Sequence, residues 1–189
     1  MFYRYFYIFL LLMNGGLLLA DKGQVNLLIY GDSISAGYGM DKDKQWSEEL
    51  QKTLTEEKIN LEIINKSLSG ETTGGGLSRL ERVLDNSKPS YILIELGGND
   101  ALRGYPPSKI KNNIEQMINL SIKRGVKVFL MQIRILPNYG KRYQSSFESI
   151  YQDVAEENSI PLIPFMLNDI ALNQDLMLDD GIHPNVSAQ

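Results

Sequence analysis

Residues 25–35 of the chain read VNLLIYGDSIS, a mostly apolar run that leads directly into a glycine-containing turn. This pattern predicts a buried β-strand over residues 25–30 that ends in a tight strand-to-helix turn. Downstream, further apolar runs alternate with stretches whose apolar residues recur at helical spacing. The other predicted strands are residues 61–64, 90–96, 126–133 and 161–163, and the predicted helices are residues 45–58, 76–84, 107–124 and 143–157.

The alternation of single strands with single helices indicates the fold class. Connections of this kind are right-handed crossovers, which place the strands parallel in one sheet and the helices on both of its faces. We therefore predict an α/β fold with a parallel sheet of about five strands. Residues 21–189 contain no internal repeat, low-complexity tract or linker, so we expect a single domain.

The composition excludes several classes of protein. The 189 residues include 23 acids, 19 bases, one histidine and no cysteine. The absence of cysteine excludes disulfide frameworks, zinc ribbons and thiol nucleophiles, and the single histidine, His183, excludes a histidine-cluster metal site. The net charge of −4 argues against a nucleic-acid-binding role. Any reaction that needs an imidazole must use His183.

Residues 1–20, MFYRYFYIFLLLMNGGLLLA, are typical of a secretory signal peptide. Arg4 precedes an apolar stretch, and the small residue Ala20 stands at its end. The alternative is a retained membrane anchor, but residues 5–20 are interrupted by polar and glycine residues and are shorter than the ~20 residues that span a bilayer. We therefore expect cleavage near Ala20, no stable membrane span afterwards, and a periplasmic or secreted protein.

Four polar segments stand after predicted strands or near the end of the sequence. They read GDSIS at 31–35, NKSLSGETT at 65–73, GGND at 97–100 and DDGIHP at 179–184. Taken singly, each has an ordinary interpretation as a turn or loop. The glycines at 74–76 are not followed by Gly-Lys-Ser/Thr, which excludes a phosphate-binding P-loop.

Each segment also carries a residue suited to acyl-transfer chemistry. A serine on a strand-to-helix turn can present its hydroxyl above the sheet, and a glycine lets a backbone N–H approach a substrate oxygen. The Asn99 side chain can donate to a developing oxyanion. Asp180, three residues before His183, can bind Nδ1 of the imidazole and leave Nε2 free as a base. Ligands of open parallel sheets bind outside the carboxyl ends of the strands, where the first three segments fall.

The order of these four segments resembles the GDSL or SGNH hydrolase family. The similarity extends to residues 131–134 (MQIR), 138–143 (NYGKRY) and 179–185 (DDGIHPN), and it covers essentially all of residues 26–189. Within the family, these stretches look like the bacterial acyl-CoA thioesterases that are also described as lysophospholipases and arylesterases. The resemblance implies a three-layer, flavodoxin-like fold and a serine hydrolase that cleaves thioesters and carboxylic esters.

The resemblance also implies residue roles. Ser33 would be the nucleophile, His183 the general base and Asp180 its orienting partner. The backbone N–H groups of Ser33 and Gly70 and the side-chain amide of Asn99 would form the oxyanion hole. The family's usual leucine after the serine is Ile34 here, which is a conservative change.

The acyl chain would need an apolar groove. The candidates for its lining are loop residues near the site: Leu102, Tyr105, Pro106, Ile135, Leu136 and Tyr139. The alternative for each is packing of the loop onto the sheet. We expect a small-molecule ester or thioester substrate, no nucleic-acid partner, no metal or organic cofactor, and a monomer.

Two other functions and one departure from the family stay open. A carbohydrate or acetyl esterase of the same family would prefer acetylated sugars to long acyl chains. A non-catalytic flavodoxin-like module would hold a nucleotide or flavin in its glycine loops. Family members continue past the histidine loop into a final helix, whereas this sequence stops at Gln189, so we expect that C-terminal helix to be missing.

Overall fold

A computed structural model describes residues 24–135 and 139–189. The predicted signal peptide and Leu136 therefore lie outside the described residues. Five strands form one sheet in the order β2-β1-β3-β4-β5, and every neighbouring pair is parallel. The strands are β1 (Val25–Gly31), β2 (Leu61–Asn65), β3 (Tyr91–Glu95), β4 (Lys127–Met131) and β5 (Leu162–Ile163). The predicted parallel α/β sheet is confirmed.

The helices connect these strands as the alternation predicts. They are α1 (Ser33–Ala36), α2 (Trp46–Glu56), α3 (Thr73–Ser87), α4 (Gly98–Leu102), α5 (Pro107–Lys123) and α6 (Lys141–Asn158). Short 3₁₀ turns at Lys42–Lys44, Gln174–Leu176 and Val186–Ala188 lie in the loops. The four long helices overlap the predicted ones, and α3 is longer than the predicted helix at both ends. The short helices α1 and α4 have too few residues to produce a periodic pattern.

The sheet is covered on both faces, which gives three layers. In β1, Leu28 and Tyr30 point to one face and Leu27 and Ile29 to the other, because successive side chains of a strand alternate. The first face packs against apolar residues of α3, α5 and α6, and the second packs against α2. All four of these β1 side chains are essentially fully buried, so β1 is the centre of the core.

The strand order places the site. β1 lies between β2 and β3, so the connection from β1 to β2 and the connection from β2 to β3 run in opposite directions across the sheet. Ligands of doubly wound sheets bind at such a switch point. Asn65 is paired with Ile29, and Glu95 with Gly31, so β1, β2 and β3 all end at one edge of the sheet. The three polar segments that follow these strands therefore emerge side by side.

Candidate active site

Ser33 stands at the first position of α1, directly after β1. The Asp32 side chain caps this helix by accepting a hydrogen bond from the backbone N–H of Ile34 at 3.1 Å. A side chain at Gly31 would collide with the Glu95 carboxyl group, so the tight turn requires glycine there. The helix ends after one turn because Gly37 adopts a left-handed conformation. Ser33 is thus held on a rigid corner at the edge of the sheet.

Asp180 and His183 lie on one short loop and contact each other. Asp180 Oδ2 lies 2.7 Å from His183 Nδ1, and Asp180 Oδ1 accepts the backbone N–H groups of Ile182 and His183 at 2.9 and 3.0 Å. Partial burial acts to raise the pKa of Asp180, but these hydrogen bonds outweigh it and lower the pKa to about 2. An ionised carboxylate only accepts hydrogen bonds, so the ring carries its proton on Nδ1.

The imidazole reaches Ser33 with its other nitrogen. His183 Nε2 lies 2.8 Å from Ser33 Oγ, although the two residues are 150 positions apart in the sequence. With the ring proton on Nδ1, Nε2 is the acceptor and the serine hydroxyl donates to it. The Tyr38 ring packs against the imidazole with centroids 4.4 Å apart, and the Tyr38 backbone N–H donates to the Ser33 carbonyl oxygen. The hydroxyl, imidazole and carboxylate therefore form one connected chain.

Asn99 belongs to α4, which begins after β3. Its Nδ2 donates to Asp32 Oδ2 at 3.0 Å, so its amide lies beside the turn that carries Ser33. Asn99, Ser33 and His183 all line one cavity. The structure thus brings the side chains of three of the predicted site residues to a common surface.

Gly70 lies in the loop after β2 and has a φ of 78°. This loop is tied to the end of β1, since Gly31 donates to Ser67 Oγ at 3.0 Å and accepts from the Leu68 N–H at 3.1 Å. The carbonyl oxygen of Gly70 accepts from Arg103 Nη2, just beyond α4. Gly70 therefore lies between the segments that carry Ser33 and Asn99, but it is not among the residues that line the cavity.

A buried hydrogen-bond network joins the start of α3, which follows the Gly70 loop, to α4, which carries Asn99. The Asp100 carboxyl accepts the backbone N–H of Thr73 at 2.7 Å and the Thr73 hydroxyl at 2.6 Å. Asn113 of α5 donates to the same hydroxyl at 3.0 Å. Because Thr73 is the first residue of α3, this network fixes the start of that helix against α4.

The cavity has a volume of about 350 Å³ and is mainly apolar. Among the candidate substrate-binding residues, Leu102 and Ile135 line it, whereas Tyr105, Pro106 and Tyr139 do not. The backbone carbonyl oxygen of Tyr105 instead accepts from the hydroxyl of Tyr143. Sequence reasoning missed several apolar residues that also line it: Ile34, Ile133, Phe165, Leu167, Ala171, Leu172, Met177 and Ile182.

The described residues contain neither a metal-binding cluster of acidic, histidine or cysteine side chains nor a membrane-spanning helix. No group of three or more histidine, cysteine, aspartate or glutamate side chains within residues 24–135 and 139–189 could hold a metal ion. No helix in the same part of the chain is long and apolar enough to cross a membrane.

Serine hydrolases typically contain a serine hydroxyl that is hydrogen-bonded to a histidine–carboxylate pair. Here this group lies at the edge of a parallel sheet. Comparisons with known proteins agree with this class. The family model of the GDSL-like lipases and acylhydrolases matches residues 29–189. The chain belongs to this family and is a serine hydrolase that acts on ester bonds. The family resemblance read from the sequence is confirmed.

Individual relatives are similar over most of their length. The chain is 46% identical to an arylesterase of Vibrio mimicus over 170 residues, which are 90% of this chain and 85% of that protein. It is 39% identical to thioesterase 1/protease 1/lysophospholipase L1 of Escherichia coli over 183 residues, 97% of this chain and 85% of that protein. The crystal structure of a psychrotrophic esterase, EstA from Pseudoalteromonas sp., inhibited by monoethylphosphonate, matches with a TM-score of 0.85 and 41% identity, covering 87% of this chain and 90% of that chain.

Proposed function

We propose that the protein hydrolyses acyl thioesters and carboxylic esters through an acyl-enzyme formed on Ser33. The observation that carries this proposal is the pair of short contacts that His183 makes, at 2.8 Å to Ser33 Oγ and 2.7 Å to Asp180 Oδ2. In this arrangement Ser33 is the nucleophile, His183 the general base and Asp180 the group that orients and stabilises the imidazolium.

The reaction takes place in two stages. His183 Nε2 takes the hydroxyl proton as Ser33 Oγ attacks the carbonyl carbon, and the carbonyl oxygen becomes an oxyanion. The N–H groups of Ser33 and Gly70 and the amide of Asn99 donate to that oxyanion. The imidazolium then protonates the leaving alcohol or thiol. Water, activated by the same histidine, hydrolyses the acyl-enzyme and releases the acid. No metal ion or organic cofactor takes part in these steps.

The cavity supports an acyl chain as the group bound beside Ser33. Ile34, Ile133 and Phe165 contribute apolar surface to it, and burial of a hydrocarbon chain against such surface is favourable by about 0.8 kcal/mol per CH₂. An acetyl group would leave most of the 350 Å³ unfilled. Acyl-CoA, lysophospholipid and aryl ester substrates all share this acyl part.

A substrate panel tests the proposal. The purified protein is assayed with p-nitrophenyl esters and acyl-CoA thioesters of increasing chain length, with acetylated xylose as the competing substrate class. We expect hydrolysis of the acyl substrates and a loss of kcat on the order of 10⁴- to 10⁶-fold in Ser33→Ala and His183→Ala. Ser145→Ala, the same change on the exposed side of α6, is the matched control and should keep full activity. Equal hydrolysis by the wild type and Ser33→Ala would refute the proposal.

We also propose that the protein is exported and that residues 1–20 are removed near Ala20. The support is the sequence of this segment, with Arg4 before an apolar stretch that is too short to span a bilayer. N-terminal sequencing of the protein recovered from a periplasmic or secreted fraction tests it. A mature chain that begins near Asp21 and elutes as a monomer is the expected result, and an intact Met1 in a membrane fraction would contradict it.

A further inference from the structure

Two buried carboxyl groups lie at the turn that carries Ser33: Asp32 belongs to the turn, and Glu95 contacts it. The proposed mechanism assigns no catalytic role to either of them. Asp32 is 4% exposed and Glu95 is 2% exposed. The two oxygens of Asp32 have different partners, because Oδ1 caps α1 through Ile34 N–H while Oδ2 accepts from the Asn99 amide. Glu95 Oε2 accepts from the backbone N–H of Asp32 at 3.3 Å and from the Ser35 hydroxyl at 2.8 Å.

The contact between Asp32 and Asn99 selects one orientation of the amide. A side-chain amide can rotate by about 180° and exchange its oxygen with its NH₂ group. A carboxylate oxygen accepts hydrogen bonds and repels another acceptor, so only the orientation with Nδ2 toward Asp32 is stable. One N–H of Asn99 is then used by Asp32, and the second N–H of the same nitrogen remains for a substrate oxyanion.

We propose that Asp32 is a positioning residue of the oxyanion hole, which acts by holding the Asn99 amide with its NH₂ group toward the reacting carbonyl. This proposal rests on the proposed function, because it assigns Asp32 a task in the same reaction. Glu95 holds Asp32 in place by accepting a hydrogen bond from its backbone N–H. Asp32 thereby connects the turn of the nucleophile to a donor that comes from a different strand.

The pKa shifts of the two carboxyl groups agree with this arrangement. Burial raises the pKa of Asp32, but the N–H groups of Ile34 and Asn99 and the nearby His183 limit the rise to about 6. Burial and the neighbouring Asp32 raise the pKa of Glu95 well above its ordinary value. With a pKa of about 6, Asp32 is ionised at neutral pH, and its negative charge faces the Asn99 amide.

A double-mutant cycle between Asp32 and Asn99 tests the proposal. Asp32→Asn keeps the size of the side chain but has one acceptor oxygen and one NH₂ group, so it cannot accept from both Ile34 and Asn99. We expect Asp32→Asn to lower kcat by about 10- to 100-fold with little change in KM, somewhat less than the ~10²–10³-fold loss expected for Asn99→Ala. In an Asn99→Ala background, Asp32→Asn should cause no further loss of kcat, because the amide that Asp32 positions is already absent.

The cycle separates positioning from a purely structural role. A weakened helix cap would lower kcat by the same factor with or without Asn99, and that additive result would overturn the proposal. An unchanged kcat in Asp32→Asn would also overturn it, while the proposed function would stand on the loss in Ser33→Ala. Failure of the wild type to hydrolyse any ester would instead refute the proposed function.

Two further variants control for folding. Asp153→Asn makes the same chemical change at an exposed position of α6 and should keep full activity. Asp32→Ser keeps an oxygen that can cap α1 but removes the carboxylate, and it takes the place of Asp32→Asn in the cycle if that variant does not fold. The same lack of a further loss in the Asn99→Ala background is expected for it, and additivity would contradict the proposal equally.

Discussion

Replacement of Asp100 by alanine should destabilise the protein far more than a typical substitution. Asp100 is 1% exposed and accepts two hydrogen bonds from Thr73, at 2.7 and 2.6 Å. Asp100→Ala leaves a fully buried backbone N–H and a buried hydroxyl without this acceptor. Each such bond to a charged group is worth about 1.5–3 kcal/mol, which gives a loss of about 3–6 kcal/mol. Domains of this kind have a net stability of only about 5–15 kcal/mol.

Urea unfolding and thermal melting of purified variants measure this loss. We expect the Tm of Asp100→Ala to fall by at least about 6 °C, since 1 kcal/mol corresponds to about 2–4 °C at this chain length. Asp100→Asn keeps one acceptor oxygen and should lose about half as much. Asp153→Ala, at an exposed position, is the control. A Tm of Asp100→Ala within about 2 °C of the wild type would refute the reasoning.

Three further predictions concern the base and the turn before Asn99. The pKa of Asp180 is about 2 in the folded protein and ~3.9 in an unfolded chain, so the stabilisation from ionised Asp180 is complete above about pH 4 and is lost as the pH falls through 2. In urea titrations, the difference in unfolding free energy between the wild type and Asp180→Asn should shrink over that interval. A constant difference would contradict this. Tyr38→Leu removes the ring that packs on His183 and should lower kcat about 2- to 10-fold, whereas Tyr38→Phe should not; steady-state kinetics that do not distinguish the two variants would count against it. Gly97 has a φ of 125° and a side chain there would collide with the Tyr151 hydroxyl, so Gly97→Ala should lose more than about 2 kcal/mol in urea unfolding; a normal unfolding midpoint would exclude that clash.

The sequence predicted the long elements well because their apolar spacing is strong. The predicted strand at residues 61–64 and the predicted helix at 107–124 each agree with the structure within one residue. The predicted helix at 76–84 was too short, because α3 already begins at Thr73. Its first turn consists largely of glycine, which carries no apolar periodicity, and it is fixed instead by the Thr72 cap and by Asp100.

Local parts of the site could be read from the residues, and distant parts could not. The spacing of three between Asp180 and His183 allows their hydrogen bond, which the structure contains. The contact of His183 with Ser33 depends on the whole fold, so the sequence indicated it only through the family resemblance. Glu95 had a usable signal that was missed, since it is an acid in a strand predicted to be covered on both faces.

The apolar wall of the cavity had no comparable signal. Phe165, Leu167 and Leu172 lie after β5 in a segment of turns, and their spacing matches neither a helix nor a strand. The fold brings these side chains to the same cavity as Ile133 and Ile135, which lie far from them in the sequence. Tyr105, Pro106 and Tyr139 are predicted as lining because they are loop residues, and this is a weaker criterion than position in the fold.

The distance of 150 residues between Ser33 and His183 has a consequence for biosynthesis. A nascent chain contains Ser33 early, but the base proposed for its hydroxyl is present only after residue 183 has been synthesised and its loop has packed beside Ser33. The contacts between Asp180 and His183 lie within four consecutive residues, so they can form as soon as this loop has been synthesised. Under the proposed mechanism, a chain that ends before His183 lacks the base for Ser33 and has no acyl-transfer activity.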